Sequence, residues 1–200
     1  DVAPSRGLGD VYKRQFLYGA DAVYFGGQNY GLRANAGNLS IDEIKQACEY
    51  AHKLNKKVYV TANIVFHDED LDGISEYLIE LKNAKVDAVI ISDPGVLPII
   101  KKVIPDMEIH ISTQQNCLNY EACNFFYDEG VKRVVLGREM SKTDLESILK
   151  NTKVDIEVFI QGAMCVSYSG RCVLSNYFTN RDSNRGGCSQ ICRWNFSLYD

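Results

Sequence analysis

The sequence of 200 residues contains no long apolar run and is poor in proline, histidine and tryptophan, with 4, 3 and 1 of them. No stretch approaches the ~18 consecutive apolar residues that a membrane helix needs, and none has the pattern of a signal peptide. We therefore expect a protein of the cytoplasm with no membrane partner, whose thiols stay reduced. The HExxH and GxSxG motifs of hydrolases are absent, as are the GxGxxG and Walker loops that bind nucleotides.

The composition is that of an ordinary globular domain, with 46% hydrophobic and 24% charged residues. A chain of this length buries enough apolar surface to fold without disulfides. Among its 7 cysteines, the clustered ones indicate metal binding or catalysis, whereas Cys48 and Cys123 lie on predicted helix faces and are expected only to pack. The net charge of -4 conceals a basic segment. Between Cys165 and Asn195 four arginines accompany one acidic residue, which gives about +3 there and about -7 elsewhere. Such a segment is typical of an anion-binding site, although solvated surface arginines give the same pattern.

Apolar, strand-like runs alternate with helical periods along the chain. Ser40 and Glu43 have the spacing of a capping box, which predicts the start of a helix over residues 40–54. Strands that alternate with helices predict a parallel sheet, either doubly wound or closed into a barrel that usually needs ~250 residues. Because no nucleotide-binding glycine loop is present, we predict an α/β fold of the (β/α)8 TIM-barrel type, truncated to about six units. The predicted strands are residues 22–25, 57–64, 88–92, 108–113, 133–137 and 156–160, and the other helices are 70–84, 95–103, 120–129 and 142–150.

Both ends of the chain have the character of a fragment. Residues 1–15 show no strand or helix period and resemble translated sequencing-adapter sequence, so we expect a non-native tail outside the fold. An amphipathic helix is already under way at residue 16. We expect the partial barrel at residues 16–164 and a cysteine-rich segment at 165–200 that is truncated at its C-terminal end.

Polar residues follow most of the predicted strands. In parallel α/β folds ligands bind where strands end, so side chains at these positions often face a ligand. Each one alone has a structural explanation as readily as a functional one, but their convergence predicts an active site. The predicted catalytic residues are Asn63, His110, Arg138 and Glu139, and the predicted substrate-binding residues include Gln114 and Gln161.

The loop after the last predicted strand contains four cysteines with the spacing C-x6-C-x15-C-x3-C, namely Cys165, Cys172, Cys188 and Cys192. A soft metal centre needs thiolates that converge from several directions, and the glycines of this loop permit tight turns around one. Structural zinc prefers closely paired cysteines at both ends of a site, whereas iron–sulfur clusters tolerate more varied spacing. The spacing therefore favours an iron–sulfur cluster, with zinc as the alternative.

Aromatic residues alternate with the arginines of this loop. Tyr168 and Trp194 provide ring faces on which an unpaired base stacks, although ordinary loop packing also explains them. We predict that Arg171, Arg185 and Arg193 contact phosphates or a small anionic co-substrate.

Three consecutive motifs resemble one known family. EVFIQGAMC at 157–165 is followed by SYSGRC at 167–172 and LSN at 174–176, which resembles the signature of the collagenase-like peptidase family U32. The resemblance extends over nearly all the chain after residue 15. Further matches are GADAVYFGG (19–27), LRANAGN (32–38), DPGV (93–96), HISTQ (110–114) and RDSNRGGCSQICRW (181–194).

The resemblance implies a barrel domain and a [4Fe–4S] cluster held by the motif cysteines. Better-understood relatives carry out oxygen-independent hydroxylation of tRNA wobble uridine, of ribosomal RNA or of ubiquinone precursors. The segment at 181–194 is most similar to the tRNA-directed branch, which is associated with prephenate as a co-substrate. Many relatives have histidine where this chain has Gln161. Relatives also differ in the fourth ligand, which can lie further downstream, so Cys192 and then Cys188 are the least secure ligands.

Two other functions remain open at this point. A peptidase would need a nucleophile and a base, for which Cys165 and His110 are conceivable partners. A cysteine that ligates a metal is not free for such an attack. The third possibility is a zinc-stapled scaffold that binds tRNA or other RNA without catalysis. The sequence does not predict an oligomeric state.

Overall fold

The computed structural model describes residues 11–32, 37–162 and 164–197. A single sheet of six parallel strands follows the order of the chain, and helices make the crossovers between them. The strands curl into a half-barrel, so the predicted α/β fold of a truncated (β/α) barrel is confirmed. The strands are β1 (Ala22–Gly26), β2 (Lys57–Ala62), β3 (Ala88–Ile91), β4 (Glu108–Ile111), β5 (Arg133–Val135) and β6 (Asp155–Glu157).

Among the residues that the structure describes, seven α-helices belong to the half-barrel and an eighth lies among the clustered cysteines. No helix within the described ranges is long and apolar enough to cross a membrane. The helices are α1 (Val11–Leu17), α2 (Ile41–Lys53), α3 (Asp68–Leu71), α4 (Ile74–Asn83), α5 (Val96–Val103), α6 (Tyr120–Asp128), α7 (Lys142–Asn151) and α8 (Leu174–Thr179).

The first helix corrects the prediction for the N-terminal end. The sequence placed residues 1–15 outside the fold, but α1 begins at Val11. Tyr12 and Phe16 lie four residues apart on one helical face and are both 6% exposed. The Tyr12 ring packs edge-on against Tyr50, with 5.9 Å between centroids. Residues 1–10 and 33–36 lie outside the described part of the chain, and with them most of the LRANAGN motif.

The two faces of the sheet have different chemistry. Side chains on the outer face, such as Val60 and Ile91, are completely buried against the helices and form most of the core. The inner, concave face has a small apolar cluster of Tyr59, Ala88 and Ile90 beside charged side chains. This division follows from the two-residue period of a strand, which sends alternate side chains to opposite faces.

The strand register determines where the loops meet. Ala62 pairs with Ile91, and Ile91 pairs with Ile111, so neighbouring strands end almost level. Because every strand runs in the same direction, the loops that follow them all lie along one edge of the half-barrel. We call this edge the mouth.

The second helix begins with the predicted capping box. Ser40 Oγ accepts a hydrogen bond from the Glu43 backbone N–H at 3.3 Å, and Glu43 Oε2 accepts from the Ser40 N–H at 2.8 Å. The pair satisfies two backbone donors that a helix start leaves free. It fixes the entry of a helix whose buried face includes Ile44 and Ala47.

Replacing Ser40 by alanine should lower the free energy of unfolding by about 1 kcal/mol, because the Glu43 N–H loses its acceptor. Urea denaturation of both proteins measures the difference. Ser147→Ala is the matched control, since Ser147 is exposed inside α7 and its hydroxyl has no hydrogen bond to any described residue. That control should be neutral or slightly stabilising. Equal losses in the two variants would contradict the capping role.

Candidate functional site at the mouth of the half-barrel

Small polar side chains at the ends of three strands bond to one another. Asn63 Nδ2 donates to Ser112 Oγ at 3.0 Å, and Ser92 Oγ donates to the Asn63 carbonyl at 2.8 Å. All three residues are buried, with Asn63 only 8% exposed. Asn63 Oδ1 has no hydrogen-bond partner among the described residues. The structure therefore places the predicted catalytic Asn63 at the mouth with one acceptor unused.

His110 lies inside β4 and points to the concave face. Its side chain is 0% exposed, so the imidazole does not open to solvent at the mouth, where the sequence placed it. His110 Nε2 is 2.8 Å from Glu108 Oε1, and its ring packs edge-on against Tyr59 with 4.6 Å between centroids. His110 Nδ1 is buried and has no partner in the described structure.

Burial lowers the pKa of His110, because the charged imidazolium loses its hydration. The hydrogen bond to Glu108 acts in the opposite direction, and the nearby Arg133 charge adds to the lowering. The neutral ring donates its Nε2–H to the Glu108 carboxylate, which leaves Nδ1 as an acceptor. This is the arrangement of a polar group inside a barrel rather than of a base exposed to substrate.

The lowered pKa predicts a pH-dependent stability. Between the ordinary histidine pKa of about 6.5 and the lower value in the fold, the unfolded chain binds a proton that the folded chain does not. The contribution of His110 to the free energy of unfolding should therefore be complete above this window. It should be lost progressively as the pH drops through the window. Urea denaturation between about pH 8 and pH 5 measures the slope. The slope of the free energy of unfolding against pH should be smaller in His110→Asn. It should be unchanged in His67→Asn, which removes an exposed histidine. An unchanged slope in His110→Asn would contradict this assignment.

The predicted catalytic pair at the end of β5 faces a loop residue. Ser169 is 0% exposed, and its backbone N–H donates to Glu139 Oε1 at 2.6 Å. The Ser169 hydroxyl donates to the same carboxylate oxygen at 3.1 Å and accepts from Arg138 Nε at 3.3 Å and Nη2 at 3.2 Å. Arg138 and Glu139 thus lie at the mouth, as predicted, and both are engaged by the loop between Cys165 and Cys172.

The next loop residue approaches the end of β4 very closely. Gly170 has a φ of 68°, a conformation that side chains rarely adopt. A Cβ at this position would overlap the Gln114 carbonyl oxygen, so only glycine fits. Thr113 Oγ1, beside Gln114, is 3.5 Å from Ser169 Oγ. The predicted substrate-binding Gln114 therefore contacts this loop through its backbone.

Arg185 bonds to acidic residues of α3. Its guanidinium forms a two-point contact with the Asp70 carboxylate, with Nη2 3.1 Å from Oδ1 and a second contact from Nη1 to Oδ2. Nη2 is also 3.4 Å from Glu69, and Nη1 donates to the Val65 carbonyl at 2.9 Å. The bond to Arg185 lowers the pKa of Asp70. Arg185 was predicted to bind an anionic ligand. In the structure its guanidinium instead binds the carboxylates of Asp70 and Glu69.

The other predicted substrate-binding residues lie on the surface. Arg171 and Gln161 are exposed, and the Arg171 guanidinium donates to the adjacent Gly170 carbonyl at 3.3 Å. Arg193 donates to the Met164 carbonyl at 2.7 Å. The two predicted aromatic platforms, Tyr168 and Trp194, are 64% and 51% exposed.

The four clustered cysteines are free thiols in one folded stretch, residues 164–197, which we call the cysteine segment. Cys165 and Cys188 are exposed, and Cys172 and Cys192 are half-buried. Hydrogen bonds connect the stretch of chain around Cys172 with the stretch around Cys188. Ser183 and Asn184 donate to the Cys172 carbonyl at 2.7 and 2.9 Å. The Ser189 N–H donates to Ser175 Oγ at 3.0 Å.

The residue types of the cysteine segment suit an iron–sulfur cluster, but the positions of its described side chains do not form a metal site. Four unpaired thiols within one segment have the chemistry that an iron–sulfur cluster requires. Nevertheless, across residues 11–32, 37–162 and 164–197, no three His, Cys, Asp or Glu side chains lie close enough to hold a metal ion. The ligand assignment therefore stays a prediction, and binding would require the cysteine side chains to draw together.

The remaining cysteines lie in the core. Cys48 and Cys123 are 1% and 0% exposed on α2 and α6, which confirms that they pack as small apolar residues. Burial raises the pKa of Cys48 to about 12 and that of Cys123 to about 11, so neither is a ready thiolate. Cys117 is also buried, and its pKa is raised to about 12.

Sequence reasoning missed Ser169 and Asp70, which connect the cysteine segment to the half-barrel. The only local signal for Ser169 is the glycine that follows it in the motif. Asp70 was interpreted as part of a helix, and its partner Arg185 lies 115 residues away. No periodic pattern in a sequence reports such a pairing.

The fold and the site together define an α/β half-barrel whose mouth carries a docked, cysteine-rich segment. The sequence model of Peptidase family U32 matches residues 10–200. The chain therefore belongs to this family, as its motifs predicted.

Two curated relatives have names that describe RNA hydroxylation. The tRNA hydroxylation protein P1 of Bacillus subtilis (strain 168) is 50% identical over 198 residues, which cover 99% of this chain and 47% of the relative. The 23S rRNA 5-hydroxycytidine C2501 synthase of Escherichia coli (strain K12) is 39% identical over 199 residues, covering 100% of this chain and 30% of the relative. The chain thus spans less than half the length of either. Among solved structures, the U32 peptidase Mk0906 shares the fold, with a TM-score of 0.59 at 13% identity over 70% of this chain and 60% of that one.

Proposed function

We propose that this chain is part of an enzyme that hydroxylates RNA, with a tRNA wobble uridine as the target and a small dicarboxylate such as prephenate as co-substrate. The observation that carries the proposal is the position of the cysteine segment, which combines four free thiols with exposed rings and cations at the mouth of the half-barrel. The names of the two relatives support RNA as the substrate class. In a (β/α) barrel the mouth is where active sites lie.

The proposed cofactor is a [4Fe–4S] cluster held by Cys165, Cys172, Cys188 and Cys192. All four are unpaired and at least partly open to solvent, so iron can reach them. When bound, such a cluster supplies electron transfer or a place where an oxygen donor binds and is activated. The chain's own contribution is to hold the four cysteines in one segment beside the mouth. Zinc is the alternative metal for the same thiols.

The proposed RNA surface consists of Tyr177, Phe178 and Phe196, with Arg181 beside them at the end of α8. Tyr177 is 83% exposed and Phe196 63%, and the Phe178 ring lies within 5.1 and 6.2 Å of the other two ring centroids. Exposed rings of this kind stack unpaired bases, while an arginine meets the phosphates. Rings that served only to pack the loop would be buried, whereas all three of these residues are at least 49% exposed.

Direct proteolysis fits the described residues less well. His110 is completely enclosed and bonds to Glu108, and His52 Nε2 lies 3.0 Å from Asp87 Oδ2. No cysteine–histidine hydrogen bond occurs among the residues that the structure describes. A cysteine nucleophile needs such a base within hydrogen-bond reach.

Replacing Cys172 by alanine should abolish iron binding. The chain, purified without oxygen and supplied with iron and sulfide, should be brown, and the variant should be colourless with little bound iron by elemental analysis. Cys48→Ala is the matched control, because it removes a buried thiol from the core and should leave the colour intact. A colourless wild-type chain that binds one zinc would instead favour the scaffold function. A metal-free chain that cleaves peptides would favour the peptidase.

Replacing Tyr177 by alanine should weaken binding to a short uridine-containing single-stranded RNA by about tenfold, because one stacked base loses its platform. Fluorescence anisotropy at fixed salt measures the affinity. Phe125→Ala is the matched control, since Phe125 is 56% exposed on α6 and should not alter the affinity. Arg181→Gln should reduce the slope of log affinity against log salt by about one phosphate contact. If Tyr177→Ala leaves the affinity unchanged and Arg181→Gln leaves the salt dependence unchanged, the proposed surface is wrong.

A further inference from the structure

The cysteine segment contacts the half-barrel at two separate places. One is the loop between Cys165 and Cys172, which meets the ends of β4 and β5 through Ser169 and Gly170. The other is Arg185, which meets the end of β2 and helix α3. We call these places the serine anchor and the arginine anchor.

The serine anchor gives a partner to the backbone N–H and to the hydroxyl of the buried Ser169. Ser169 has a backbone donor, a hydroxyl donor and a hydroxyl acceptor, and Glu139 and Arg138 provide a partner for each of them. Hydrogen bonds with an ionised partner are about twice as strong as neutral ones, and this site has them on both sides of one hydroxyl. Glu139 and Arg138 both direct hydrogen bonds at the segment, through the backbone N–H and the hydroxyl of Ser169.

The shape of the loop adds a steric requirement. A Cβ on Gly170 would fall within the Gln114 backbone, which cannot rotate away as a flexible side chain would. The loop therefore fits its dock only with glycine at this position. Adjacent residues thus provide polar and steric complementarity to the same strand ends.

The arginine anchor fixes the far part of the segment. Besides the contact with Asp70, the Val65 N–H donates to the Asn184 carbonyl at 3.0 Å, so backbone and side-chain bonds act together. Asn184 also donates to the Cys172 carbonyl. Cys172 is therefore held from both directions: its own loop is fixed at the serine anchor, and its carbonyl is fixed by the residue beside the arginine anchor.

We propose that Arg138, Glu139 and Asp70 are positioning residues, which dock the cysteine segment on the mouth and thereby set the location of Cys172. They act through Ser169 and Arg185 and do not themselves contact the reacting groups. Docking is independent of any metal. Its consequence for a cluster, namely that the anchors hold the proposed ligand Cys172 near the mouth, rests on the proposed function.

Removal of the serine anchor should expose the loop without unfolding the half-barrel. In the metal-free chain, Ser169→Ala should raise the alkylation rate of the half-buried Cys172 about tenfold and increase amide hydrogen exchange over residues 165–172. Ser167→Ala is the matched control, because Ser167 lies in the same loop and has no hydrogen bond to any described residue. Equal rates in Ser169→Ala and Ser167→Ala would overturn the proposal.

The buried thiols report on the fold in the same experiment. Cys48 and Cys123 should remain unlabelled if only the dock is lost, and their labelling would reveal general unfolding. In that event Glu139→Gln decides the question, since its amide oxygen still accepts from the Ser169 N–H while the charge is lost. The effects of Ser169→Ala and Glu139→Gln should be less than additive, because both remove the same contact. Full additivity would contradict a shared anchor.

The arginine anchor gives a second, independent arm. Arg185→Met should increase exchange of the Val65 amide and of residues 183–188, and Arg185→Lys should restore part of the protection because the charge remains. If labelling follows this pattern in a chain that never binds iron, docking stands and the proposed cluster fails. If iron binds to the wild type, and Ser169→Ala neither speeds its loss to a chelator nor alters labelling, the anchors are wrong and the cluster stands.

Discussion

The whole arrangement depends on the parallel direction of the six strands. Every crossover returns the chain to the same starting edge, so every strand delivers its last residue to the mouth. The segment that follows β6 therefore starts beside the loops of the other strands. Ser169 and Arg185 have only to reach across this edge to contact residues far away in the sequence, such as Glu139 and Asp70.

The concave face shows how the half-barrel accommodates charge. His110 pairs in register with Arg133, and both side chains point inward from adjacent strands. Each has a carboxylate partner: Glu108 lies 2.8 Å from the neutral His110 ring, and Glu157 lies 3.4 Å from the Arg133 guanidinium. Buried charges are stable only when they are paired and hydrogen-bonded. The polar residues that the sequence places in strands are thus not all site residues: those before the strand end pair with each other, and those after it face the mouth.

Local pattern was sufficient to predict the six strands and the capping box at Ser40, because each depends on neighbours along the chain. The prediction was too long for the last strand, which was expected over residues 156–160 but ends at Glu157. The ladder stops where β5 stops, and Ile160 is 93% exposed. The start of α1 was missed because its two buried rings are too few to establish a period. The anchors were not predictable, since the partners in each contact are 30 and 115 residues apart.

The arginines of the cysteine segment have different roles, which the net charge of the segment does not reveal. Arg185 is neutralised by Asp70 and Glu69, so its charge does not add to the field that an anion meets. Arg171 and Arg181 remain exposed and have no carboxylate partner within the described ranges. The basic surface is therefore smaller than the sequence implies. Arg181 follows Tyr177 and Phe178 closely in the sequence, and the Phe178 ring contacts the rings of Tyr177 and Phe196. The cysteine segment thus carries both exposed rings and arginines without a described carboxylate partner, which is the combination that a single-stranded nucleic acid needs.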